Sequence, residues 1–177
     1  MFKVMFVCMG NVCRSPLAHI LLDIYLEKNN LTDRISVESS GVNVFNEGQA
    51  LCDNIVRTAS KRGLSIEHYS RSFYPSDGED FDLILAMDTT TMSRVKSTIK
   101  GKLQKGEVRY FRYYDPVQDG SNEVPDPWYG GNDESEMVYD IIERTMKTLV
   151  DSIINKPNPG RQQVGCSGMQ PKENIDE

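Results

Sequence analysis

The sequence predicts an α/β fold, a parallel doubly wound sheet with helices on both faces. Three observations carry this. Strand-like and helix-like periodicities alternate along the chain, the pattern of repeated βαβ units. One strand candidate, FDLILAM at 81–87, is a continuous apolar run, as expected of a strand buried on both faces. A chain of 177 residues, 38% hydrophobic and 26% charged, fits one domain with one core.

The elements follow in order. Residues 2–8 alternate as a short strand rich in β-formers. A helix is predicted from Ser15, with Leu17, Ile20, Leu21 and Ile24 at three- and four-residue steps. Ser15 is a plausible N-cap, and Pro16 suits the first helical position. RISVESSG (34–41) alternates and stops at a glycine, reading as a second strand. ALCDNIVRTASKRG (50–63) is helical, with Gly63 as its stop signal. The apolar run at 81–87 is the third strand. A helix over 88–100 opens on Asp and Thr, and EVRYFR (107–112) is a fourth strand candidate. A long loop rich in Pro, Gly and Asp follows, a length that in compact domains is often functional. A helix over 136–154 closes the core through Val138, Ile141, Ile142, Thr145, Leu149 and Ile153. Residues 155–177 hold three prolines and three glycines and read as a disordered tail.

Charge and composition narrow the function. A net charge of −6 argues against general electrostatic binding to nucleic acid or an anionic membrane, while leaving room for a local positive pocket. No apolar window approaches the ~18 residues of a membrane span. The opening run is too short for a signal peptide and lacks a small-residue cleavage site, so the expected compartment is the cytoplasm. In that reducing setting the four cysteines, Cys8, Cys13, Cys52 and Cys166, are not expected to form structural disulfides. No second Cys/His pair stands at ligand spacing, so no metal is expected.

The first strand-to-helix turn, CMGNVCRS at 8–15, concentrates the chemistry. A parallel sheet places its ligand site beyond the carboxyl ends of its strands, where this turn lies. A helix N-terminus offers unpaired N–H groups and positive potential. Gly10 allows close backbone approach, and Asn11 tolerates left-handed dihedrals. Met9, Gly10, Asn11, Val12 and Cys13 can thus form an anion nest, to which Arg14 adds a fork for phosphate oxygens. Such a position favours the Cys8 thiolate, and a thiolate aimed at phosphorus is a covalent catalyst. Ser15 can donate its hydroxyl to that sulfur. A Walker A loop would need Gly-Lys-Ser/Thr and no cysteine.

FVCMGNVCRSP resembles the signature loop of the low-molecular-weight protein tyrosine phosphatases. The resemblance extends over about residues 2–154, through SSG after the second strand, AMD after the third, and DPWYGGNDE before the last helix. It implies a four-stranded parallel sheet flanked by helices, the phosphatase I-like fold, in a domain spanning 1–154. It also implies no metal and no organic cofactor. The implied activity is hydrolysis of phosphotyrosine and small aryl phosphates through a cysteinyl-phosphate. The implied partners are phosphotyrosine proteins, with phosphate or other oxyanions in the site.

The resemblance also assigns roles. Cys8 is the nucleophile, Arg14 the phosphate clamp and Asp126, in DPWYG, the general acid; the other Asp-Pro step, Asp115-Pro116, reads as a turn. Trp128 and Tyr129 line the mouth, and Phe45 is a candidate for the opposite wall, with core packing as its alternative. Ser39 and Asn11 fix the loop, with His68 as a further partner. Asp88 orients groups near the nucleophile or caps a helix. Cys13 is implied as the redox partner of Cys8, with loop packing as its alternative, and Cys52 reads as core. Three rivals fit less well. A same-fold arsenate reductase needs a cysteine pair after the third strand, where this chain has LILAMDTTTMSRVK. A non-catalytic phosphotyrosine-binding module would lack the acid or the nucleophile. A thiol redox protein would space its cysteines by two residues and leave Arg14 and Asp126 without purpose.

Overall fold

The structure, a computed structural model, describes residues 1–100 and 106–155. The expected tail lies outside the described residues from 156 onward. In chain order the elements are β1 (Phe2–Cys8), α1 (Arg14–Lys28), β2 (Ile35–Gly41), α2 (Asp53–Lys61), the short α3 (Asp77–Asp80), β3 (Leu83–Ala86), α4 (Thr89–Ile99), β4 (Glu107–Tyr110) and α5 (Asn132–Ile154). Three-residue-per-turn helices at Val44–Asn46 and Phe111–Tyr114 join them.

The four strands are all parallel, in the order β2-β1-β3-β4. The period of two along β1 explains the three layers. Val4, Phe6 and Cys8 face one side and pack with α1 and α5 residues such as Leu17, Leu22, Ile142 and Leu149. Met5 and Val7 face the other side and pack with Phe73, Phe81, Val95 and Ile99. Strand β1 is therefore buried on both faces, and β3 is buried at every position. Chain order reverses at β1, which has β2 on one side and β3 on the other. The carboxyl ends of β1 and β3 are thus the expected ligand crevice.

Element boundaries differ from the sequence reading in instructive places. Helix α1 begins at Arg14 with Cys13 as its N-cap residue, and no side chain caps it. Ser15 is not the cap, because its hydroxyl is turned toward the Cys8 sulfur. Helix α4 does open on the expected cap: Asp88 accepts from the Thr91 N–H at 2.6 Å. Gly63, at φ 78°, follows the C-cap of α2 in the left-handed conformation that glycine accommodates. Helix α5 starts four residues earlier than expected, with Asp133 and Glu134 in its first turn, where acidic side chains suit the helix dipole.

Candidate active site

The turn between β1 and α1 is shaped by what its carbonyls do. Cys8 O accepts from Val42 N–H at 3.1 Å, Met9 O from Asn43 N–H at 2.9 Å, and Val12 O from Cys52 N–H at 2.8 Å. In a trans peptide the N–H points opposite to the C=O. The N–H groups of Met9, Gly10 and Cys13 are therefore turned away from those partners. Asn11 sits at φ 55°, a left-handed conformation, and its N–H donates to Cys8 Sγ at 3.2 Å. Gly41 makes this close seating possible. A Cβ there would stand 2.8 Å from the Gly10 carbonyl carbon and 2.9 Å from the Asn11 nitrogen.

Cys8 Sγ also receives the Ser15 hydroxyl at 3.1 Å. Behind the loop, Asn11 Nδ2 donates to Ser15 and Ser39, both at 2.9 Å. Asn11 Oδ1 accepts from Arg71 N–H at 2.9 Å and lies 3.0 Å from His68 Nε2. The expected supporting residues Ser39 and His68 are therefore joined to the loop through one amide side chain. Burial, with the neighbouring His19 adding to it, lowers the His68 pKa to about 4, so the ring is neutral at pH 7.

Arg14 is buried and makes three hydrogen bonds. Its Nη1 donates to Asp88 Oδ2 at 2.6 Å and to Val124 O at 3.1 Å, and its Nη2 to Asp126 Oδ2 at 2.7 Å. Asp88 is thus the expected helix cap and also holds the Arg14 guanidinium, six residues from Cys8. Burial works to raise its pKa, but the Thr91 N–H and the Arg14 guanidinium outweigh it, so the carboxylate is held below its ordinary range. Asp126 accepts the Trp128 N–H at 3.1 Å on its other oxygen. Asn54 of α2 ties the same segment down, donating to Pro127 O and Gly130 O at 3.4 and 3.2 Å.

These groups border a cavity of about 290 Å³ lined by Cys8, the loop residues Met9, Gly10, Val12, Cys13 and Arg14, and by Asn43, Asn46, Asp126, Trp128 and Tyr129. Nucleophile candidate, guanidinium and acid candidate share one opening, with two aromatic rings at its rim. Phe45 is 88% exposed, which corrects the core-packing reading of it, and the cavity is lined on that side by its neighbours Asn43 and Asn46. In a three-residue-per-turn helix, positions three apart lie on one face. Asn43 and Asn46 therefore turn inward together, and Phe45 turns out. Neither asparagine, nor Asn54, stood out in the sequence, since none belongs to a motif that names it.

The cysteine pairing also differs from expectation. Cys13 is bonded to Cys52, and Cys8 is the one free thiol among the described residues. Cys52 precedes α2 and its N–H already holds Val12 O, so the two Cα atoms sit 5.6 Å apart, ordinary disulfide reach. The expectation that no structural disulfide forms is corrected here: Cys13 is joined to Cys52, which also packs, half-buried, against the core as expected. Among the described residues no group of three or more His, Cys, Asp or Glu side chains is placed to hold a metal ion.

Comparison with known proteins finds matches over most of the chain. Residues 3–158 match the family model for low molecular weight phosphotyrosine protein phosphatase. The low molecular weight protein-tyrosine-phosphatase PtpA of Staphylococcus aureus strain MRSA252 is 30% identical over 161 residues, covering 89% of this chain and 97% of its own. A low molecular weight protein-tyrosine-phosphatase of Streptomyces coelicolor is 29% identical over 153 residues, covering 86% and 93%. Among solved structures, a protein tyrosine phosphatase from Entamoeba histolytica with Hepes in its active site superposes with a TM-score of 0.79. It is 29% identical, over 87% of this chain and 97% of that one.

Proposed function

Because the chain belongs to the low molecular weight protein tyrosine phosphatase family, and is thereby a phosphatase acting on phosphotyrosine, we propose a two-step mechanism carried by Cys8, Arg14 and Asp126. The observation that supports it most is the convergence of these three side chains on one cavity from two segments far apart in sequence, the β1–α1 turn and the loop before α5.

In the first step the Cys8 thiolate attacks phosphorus. The S–P bond forms, the P–O bond to the tyrosine ring breaks, and Asp126 gives its proton to the departing phenolate oxygen. The inward-turned loop N–H groups and the Arg14 fork hold the phosphoryl oxygens as charge spreads over them. In the second step water attacks the cysteinyl-phosphate and Asp126 takes its proton. The S–P bond breaks, releasing phosphate and the thiolate. The Asn11 N–H and the Ser15 hydroxyl stabilise sulfur as a leaving group. The dianion and the Asp126 carboxylate compete for the same Arg14 guanidinium. Phosphate entry would thus release Asp126 toward the leaving oxygen. Trp128, 47% exposed at the rim, offers a flat apolar face to a phenyl ring.

Two coarser attributes belong to the same proposal. Residues 1–154 carry the activity, so a chain ending after Asn155 is expected to retain it. The cytoplasm is the proposed compartment. No described helix is long and apolar enough to cross a membrane. Cell fractionation tests the compartment.

The deciding experiment is hydrolysis of para-nitrophenyl phosphate, with EDTA present, by the wild type and Cys8→Ser in parallel. The expected outcome is metal-independent turnover in the wild type and a loss of at least ~10⁴-fold in the variant, the scale seen when a catalytic nucleophile is removed. Turnover retained in Cys8→Ser would overturn the mechanism.

A further inference from the structure

Behind the loop, on the side away from the cavity, stands a pair of histidines that the mechanism leaves unused in part. The rings of His19, on α1, and His68 meet edge to face, with centroids 5.9 Å apart. His68 reaches Asn11, as expected from the family resemblance. His19 belongs to no assigned role, yet its Nδ1 lies 3.3 Å from Ser39 Oγ and its Nε2 lies 3.2 Å from the Asp23 carboxylate one turn along α1.

One backbone donor fixes the direction of the bonds around the Asn11 amide. The Arg71 N–H can only donate, so Asn11 Oδ1 is the acceptor and Nδ2 faces Ser15 and Ser39. Both Nδ2 hydrogens are then used, and each serine oxygen is an acceptor whose own hydrogen must go elsewhere. The Ser15 hydrogen has Cys8 Sγ at 3.1 Å, or Ser40 O at 3.2 Å. For Ser39 the remaining partner at hand is His19 Nδ1, to which its hydroxyl can donate. Nδ1 can accept only if the ring carries its hydrogen on Nε2, and the Asp23 carboxylate is the group that holds it there. His68 must donate through Nε2 to Asn11 Oδ1, as a neutral ring with one N–H does.

We propose that His19 and Asp23 are positioning residues for the Cys8 centre: Asp23 sets the His19 tautomer, His19 anchors Ser39, and Ser39 holds the Asn11 side chain. Asn11 is worth this much support. It occupies a left-handed conformation unfavourable to most side chains, and its own N–H is one of the donors on sulfur. A displaced Asn11 weakens both sulfur contacts together, its own and that of Ser15. This rests on the reading of Cys8 as nucleophile.

The test follows the rate of Cys8 alkylation by iodoacetamide at pH 6, beside kcat and KM for para-nitrophenyl phosphate, in the full chain. His19→Phe keeps the ring volume and removes the acceptor. The expected result is about a three- to tenfold fall in both the alkylation rate and kcat, the scale of one buried hydrogen bond, with KM nearly unchanged. His19→Gln, whose amide oxygen can accept from Ser39, restores both rates to within about twofold of the wild type. Asp23→Ala, at a half-exposed helix position that tolerates alanine, lowers both rates about twofold without lowering Tm. The proposal is overturned if His19→Phe alkylates and turns over at wild-type rates, or if His19→Gln is as slow as His19→Phe. Wild-type enzyme that stays active after complete Cys8 alkylation would overturn the nucleophile reading itself, a result separate from either of these.

Discussion

The long loop between β4 and α5 contains the step Asp-Pro twice, at Asp115-Pro116 and at Asp126-Pro127, and the two carboxylates occupy opposite environments. Asp115 is wholly buried. Arg144 donates to both its oxygens at 2.9 and 2.7 Å, Arg112 adds 3.0 Å, and the Val117 N–H adds 2.9 Å. Asp126 is about half exposed at the cavity and has one charged partner, Arg14, together with the Trp128 N–H. An aspartate with every lone pair committed can hold a loop in place but has no freedom to exchange a proton. One with an open side and a partner that phosphate can take away does have that freedom. The dipeptide is the same, and the donors around it set the role.

The comparison breaks most visibly at Asp126. Replacement by Asn is expected to lower kcat on a phosphotyrosine peptide by about 10²- to 10⁴-fold, the usual contribution of a positioned acid, while Tm barely moves. An ion pair this exposed contributes little to stability. A steady-state assay with a melting curve on the same preparation checks both halves.

Asp115→Asn should do the reverse. It leaves Arg144 short of its counter-charge and Arg112 with Asp119 alone, which costs about 3 kcal/mol, the low end for a broken buried pair, since Arg144 is partly exposed. A Tm lower by roughly 10 °C is expected, with kcat of the folded enzyme within about twofold of wild type. The effect also has a pH signature. Burial works to raise the Asp115 pKa, but Arg144, the Val117 N–H and Arg112 outweigh it and hold it below the ordinary value. A depressed carboxyl pKa stabilises the fold fully above the unfolded value near ~3.9, and that contribution is lost as pH falls through the folded value. Denaturation curves of the wild type and Asp115→Asn are therefore expected to converge as pH drops below about 4.

Asn54 sharpens the contrast at smaller scale. Its amide fastens the Asp126 segment to α2 through Pro127 O and Gly130 O. Asn54→Ala is expected to cost about two- to tenfold in kcat through a looser acid, with KM and Tm little changed. An equal change in KM alone would place Asn54 in substrate binding instead.

The sequence was most informative where local chemistry and fold position agree. Cys8, Arg14 and Ser15 lie within one turn, and the alternation of strands and helices placed that turn at the mouth of the sheet. Asp88 was legible as a helix cap because caps are local. What escaped was set by contacts between distant segments. Phe45 faced outward because a three-residue-per-turn helix turned Asn43 and Asn46 inward. Cys13 met Cys52 because β2 and the segment after it return the chain to the loop, a proximity that their 39-residue separation conceals. Asn54 and His19 look like ordinary helix residues until tertiary contacts bring Pro127 and Ser39 beside them. Choosing Asp126 over Asp115 depended on the flanking residues DPWYG, since the dipeptide alone is silent.

The most direct test of the central claim is the dependence of kcat on the leaving group in Asp126→Asn. A phenolate as basic as that of tyrosine needs a proton to depart, and a dinitrophenolate does not. The account predicts a loss at least about tenfold larger on a phosphotyrosine peptide than on dinitrophenyl phosphate. An equal loss on both substrates, or the same selective pattern in Asp115→Asn, would contradict it.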